Sequence, residues 1–130
     1  MRKIVVVLVV LLTLTGLAVR FEAALSLAPA VTRPLALVHY WGGLLFLVMF
    51  PLYAWDHIRH NRRWLTRARG VTVSGVVQTV SAVLLMLSGL VIIAYGVQAW
   101  QFARDLHHWL TYPLAASVAL HFLVRKDWRG

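Results

Sequence analysis

The chain has 130 residues, of which 61% are apolar and only 13% charged. An ordinary soluble domain is about one-quarter charged, and a chain this short has too little interior to hide so much apolar surface. The composition therefore points to a single membrane-embedded domain. The formal charge of +9 is spread over the ends of apolar runs rather than along one face, which speaks against nucleic acid as a partner; the absence of cysteine excludes disulfides, thiolate metal sites and a covalently attached c-type haem.

In chain order, four apolar segments are predicted as helices, over about residues 4–25, 35–58, 71–98 and 106–124. Each approaches or exceeds the roughly 20 residues that cross a bilayer core. In lipid such segments must be helical, because every backbone polar group needs an internal partner. The first, "IVVVLVVLLTLTGLAV", follows "MRK" and is followed by "APA" at Ala28–Ala30, an outline shared with secretory signal peptides. It is read here as a retained spanning helix. The second, "LALVHYWGGLLFLVMFPLYAWDHI", opens with His39 and closes with His57. A basic connection, "HIRHNRRWLTRARG", leads to the third, and the fourth, "LHHWLTYPLAASVALHFLV", carries His107, His108 and His121.

Orientation follows from lysine and arginine. Arg2, Lys3, Arg59, Arg62, Arg63, Arg67, Arg69, Arg125, Lys126 and Arg129 fall on one side, against Arg20, Arg33 and Arg104 on the other. Both termini and the basic connection are therefore expected in the cytoplasm, with the connection mainly a topology determinant that also suits anionic lipid head groups. The expected architecture is all-α, an integral membrane four-helix bundle of two hairpins.

A weak internal repeat runs through the chain. "LLTLTGL" (Leu11 to Leu17) matches "LLMLSGL" (Leu84 to Leu90), and each leads into a histidine-headed helix, "VHYWGGLLFLV" or "LHHWLTYPLAA". The repeat sets His39 over His107 and Trp41 over Trp109. Gly42, Gly43, Gly75, Ser88 and Gly89 are candidate helix-packing positions, and Gln78, Ser81 and Ser88 candidate inter-helix hydrogen bonders.

Ionisable residues within a membrane are costly and mark function by default. His107 and His121 lie about 40° apart in azimuth and about 21 Å apart in height on one helix; His39 and His57 share a face about 27 Å apart. Two parallel helices thus each offer an outer and an inner histidine, His39 with His107 and His57 with His121. Such pairs suit axial ligation of an iron porphyrin in a helix-bundle core, with Gly42 and Gly43 one turn beyond His39 leaving room for the macrocycle. His108 lies off the shared face and His60 lies toward the head groups, which makes both weaker candidates. The acids Glu22, Asp56, Asp105 and Asp127 all sit near segment ends, which weakens zinc, di-iron and proton-pumping readings.

These features together, the "TG" and "SG" near the ends of the first and third helices and the histidines heading the second and fourth, resemble a bacterial family of small haem-b membrane cytochromes. It is similar to the cytochrome b subunits of nickel-iron hydrogenase and formate dehydrogenase and to stand-alone di-haem cytochromes b. The resemblance covers most of the chain and is carried most strongly by His107 with His121. It implies one or two b haems, ligated by His39, His107, His57 and His121, and electron transfer between the quinone pool and other subunits of a redox complex in the bacterial inner membrane. One departure stands out: the repeat places the inner ligand of the second helix at Tyr53, so His57 must substitute. Two other readings accompany this one, a haem-free structural or assembly subunit and a stand-alone oxidoreductase acting on superoxide, ferric iron or quinone.

Overall fold

The computed structural model describes residues 2–65, 70–96, 98 and 100–126, and the side chains of 63–65, 70, 71 and 122–126 are left aside. Arg67, Arg69, Asp127, Trp128 and Arg129 lie outside the described residues, as do the side chains of Arg63, Arg125 and Lys126. Among the described residues the chain is all-helical, with four helices: α1 (Arg2–Arg20), α2 (Pro29–Leu65), α3 (Gly70–Tyr95) and α4 (Gln101–Lys126). It divides into two compact units, Met1–Asp56 and His57–Gly130.

The helix boundaries differ from the sequence expectation for local reasons. Regular helix ends at Arg20 in α1, and residues 21–25 continue as hydrogen-bonded turns, Phe21 N–H to Leu17 C=O and Leu25 N–H to Phe21 C=O, each 2.9 Å. Ser26 then takes a left-handed φ of 51°, which breaks the helical path. Helix α2 starts six residues before the expected Leu35, with Pro29 at its first position, where a missing N–H costs nothing. The carbonyl of Ala28 accepts from the N–H groups of Val31 and Thr32, and Pro34 is absorbed into the second turn. At its other end α2 runs on to Leu65, so the first part of the expected basic loop is helix; Arg59 and Arg62 ride on it as exposed side chains. Helix α3 stops at Tyr95 because Gly96, at φ 82°, caps it with its N–H on the Ile92 carbonyl at 2.9 Å. Helix α4 begins at Gln101, five residues before the expected Leu106.

In the first unit the packed side chains are Val5, Leu8, Val9 and Thr15 of α1 with Thr32, Phe46 and Phe50 of α2. Phe46 and Phe50 stack one turn apart, with centroids 5.0 Å apart and planes at 30°. In the second unit α3 packs on α4 through small residues. Ala82 is 0% exposed, and Ser81, Ser88, Ala103, Leu114 and Ser117 are buried. Small side chains let helix backbones approach closely, and hydroxyls or amides then bond across the seam; Gln78 Nε2 donates to the Ser117 carbonyl at 2.8 Å.

The outer surface is strongly apolar, with Trp41, Trp55, Phe102 and Trp109 among many exposed large side chains. Three helices, over Arg2–Arg20, Pro29–Arg62 and Thr72–Tyr95, are long and apolar enough to cross a membrane. Helix α4 has the length, 26 residues, but is not among those three. Its His107, His108, Tyr112, Pro113 and His121 dilute its hydropathy.

Candidate functional site

The repeat seen in the sequence reappears as two copies of one local geometry. In the first unit Thr15, buried on α1, reaches across to α2, with its Oγ1 3.1 Å from His39 Nδ1. The same hydroxyl lies 2.8 Å from the Leu11 carbonyl and 3.4 Å from the Leu12 carbonyl of its own helix. His39 also hydrogen-bonds the backbone of Leu12. In the second unit Ser88, buried on α3, has its Oγ 3.0 Å from His107 Nδ1 on α4. It lies 2.8 Å from the Leu84 carbonyl and 3.1 Å from the Leu85 carbonyl. His107 Nδ1 is 3.0 Å from the Leu85 carbonyl.

The residue after each hydroxyl is glycine in both copies, and the imidazole lies against it. A Cβ at Gly16 would stand 2.8 Å from His39 Cε1, and one at Gly89 would stand 3.3 Å from His107 Cε1. The glycine is therefore what lets the Cε1 edge of the ring come so close to the neighbouring helix, and the hydroxyl before it is what the ring bonds. A third imidazole is held in a related way: His121 Nδ1 lies 3.1 Å from Ser74 Oγ.

The remaining candidate residues have different surroundings. His57 is exposed; its Nδ1 is 3.5 Å from Asn61 Nδ2, and its carbonyl accepts from the same amide at 2.8 Å. His60 is exposed on the next turn. His108 turns from His107 toward an exposed aromatic group. Its Nε2 is 3.2 Å from Tyr112 Oη, and its ring meets that of Tyr112 edge-on at 5.3 Å. Gly42 is filled from α1, since a Cβ there would meet Leu12 Cδ2 at 3.2 Å, whereas nothing lies within 4 Å of one at Gly43. Tyr40 and Trp41 form an edge-to-face pair at 5.3 Å, with Trp41 and Trp109 both exposed.

Sequence reasoning marked Ser88 as an inter-helix hydrogen bonder, and its bond to His107 bears that out. It missed Thr15, Gly16 and Ser74 as histidine neighbours. The signal for the first two was present, because the alignment that sets His39 over His107 also sets Thr15 over Ser88 and Gly16 over Gly89. Ser74 has no such counterpart, since the repeat runs off the start of α1 there.

Comparison with family models, curated proteins and solved structures returned no match.

Proposed function

We propose that this chain is a b-type membrane cytochrome, a four-helix bundle in the bacterial inner membrane with both termini in the cytoplasm, passing electrons between the quinone pool and a redox partner as a subunit of a larger complex. The observation that carries the reading is the repeated histidine geometry. Histidines that ligate metal almost always engage their second ring nitrogen with a carbonyl, a carboxylate or water, which fixes the tautomer and the ring's orientation. His39 is held at Nδ1 by the Thr15 hydroxyl and also bonds the Leu12 backbone, His107 is held at Nδ1 by the Leu85 carbonyl and the Ser88 hydroxyl, and His121 at Nδ1 by a hydroxyl. The residues thus fit a b haem through Nε2, a neutral imidazole donor in apolar surroundings.

Bound haem supplies the one-electron iron couple. The chain's own residues do the rest. His39 and His107 would hold one haem, and His121 with His57 a second. Gly43 leaves open space one turn beyond His39, and Gln78 ties α3 to α4 through the Ser117 carbonyl. The apolar side chains around the rings exclude water, which with the ligand set fixes the potential. An inner haem rests on less than the outer one, because His57 is exposed where His121 is half-buried.

The test is a pyridine haemochrome assay, with a dithionite-reduced spectrum, on detergent-purified protein. The expected result is about two b haems per chain, falling to one in His57→Ala and to one in His39→Ala. One haem in the parent chain would remove one of the two pairs, and the same variants would say which. Protein without haem would leave the structural-subunit reading, and turnover with superoxide, ferric iron or quinone in the absence of any partner would favour the stand-alone oxidoreductase.

A further inference from the structure

The two hydroxyls that touch His39 and His107 have already committed their hydrogens. Thr15 Oγ1–H points at the Leu11 carbonyl at 2.8 Å, and Ser88 Oγ–H at the Leu84 carbonyl at 2.8 Å. A hydroxyl has one hydrogen and two lone pairs. The contacts at 3.1 Å and 3.0 Å to the imidazoles therefore run from Nδ1–H to the hydroxyl oxygen. The Leu85 carbonyl, 3.0 Å from His107 Nδ1, can only accept and demands the same proton. In both copies Nδ1 carries the hydrogen, so in the neutral ring the lone pair sits on Nε2.

Back-bonding of serine or threonine to a carbonyl of its own helix is common and by itself signals nothing. Here the bond is made by residues that are 5% and 4% exposed, in both halves of a repeat, with a glycine beside each that the ring requires. A neutral acceptor also avoids the expense of a buried carboxylate inside a membrane. We propose that Thr15 and Ser88 are positioning residues that orient His39 and His107 with Nε2 as the metal-binding nitrogen. This rests on the reading of those histidines as haem ligands.

The test uses the full chain in detergent or nanodiscs, as Thr15→Ala, Thr15→Ser, Ser88→Ala and Ser88→Thr. Haem itself is titrated into the haem-depleted protein, and the ring nitrogens of 15N-histidine are followed by NMR without haem. The parent chain is expected to show Nδ1–H tautomers at both rings. The alanine variants are expected to bind haem about 10- to 100-fold more weakly at the affected site. Thr15→Ala should shift the nitrogen signals of His39 alone, and Ser88→Ala those of His107 alone, because only the neighbouring ring loses an acceptor. The two hydroxyl-preserving variants should restore both readouts, which a general loss of packing would not do. Nε2–H tautomers in the parent chain, or alanine variants with unchanged ring signals and haem affinity, would overturn the positioning role while leaving the cytochrome reading in place. A parent chain that takes up no haem would overturn both.

Discussion

Gly16→Ala and Gly89→Ala make the same chemical change at equivalent points of the repeat, and the structure predicts unequal outcomes. At Gly89 the added Cβ would lie 3.3 Å from His107 Cε1, so the ring needs to yield only a few tenths of an ångström. Replacing glycine by alanine inside a helix gains about 1 kcal/mol, enough to offset so small a displacement. At Gly16 the Cβ would lie 2.8 Å from His39 Cε1, with Nδ1 also close at 3.2 Å, and carbon atoms in contact sit at about 3.5–4.0 Å. The ring must move by most of an ångström, and its bond to Thr15, at 3.1 Å, stretches with it. Overpacking of this kind costs about 1–3 kcal/mol, and a weakened hydrogen bond about 1 kcal/mol more. After the helix gain, Gly16→Ala is expected to destabilise by about 1–3 kcal/mol, and Gly89→Ala by less than about 0.5 kcal/mol. Reversible unfolding in mixed micelles of the haem-depleted protein measures both. Equal losses in the two variants, or a Gly16→Ala protein as stable as its parent, would refute the claim that the histidine rings lie on these glycines.

Two further outcomes follow from the packing. Ala82→Leu puts an isobutyl group at a position of α3 that is 0% exposed, and should destabilise by about 1–3 kcal/mol in the same unfolding assay, whereas Val83→Leu on the exposed side should be near neutral. Gly96→Ala forces a Cβ onto a residue at φ 82° and should destabilise by about 1–2 kcal/mol, with circular dichroism showing the loss at lower denaturant and little change in native helix content.

The sequence by itself determined the all-helical class and, among the described residues, the four helices. Apolar runs of this length with few breakers satisfy their backbone polar groups within the segment by forming helix, and α1 to α4 overlap those runs. It also determined the repeat, in which a hydroxyl followed by glycine on one helix precedes a histidine near the head of the next, 24 residues on in the first copy and 19 in the second. Helix ends were less legible. Helix α2 was expected from Leu35 yet starts at Pro29, and the arginine-rich stretch after Ile58 reads as a loop yet stays helical to Leu65. Proline at the first helical position lacks only an N–H that has no partner there, and exposed arginines are good helix formers.

What only tertiary structure decided is which neighbour each histidine has. Periodicity places His39 and His57 on one face of α2, and His107 and His121 nearly on one face of α4, but azimuth says nothing about what stands opposite. The packing of α1 on α2 brings Thr15 to His39, and that of α3 on α4 brings Ser88 to His107 and Ser74 to His121. The same packing fills the space at Gly42 with Leu12 and leaves that at Gly43 open, a difference between adjacent identical residues that no local pattern encodes. A hydrogen bond between helices depends on their separation and rotation, and those are set by the summed contacts of both faces rather than by the residues that form the bond.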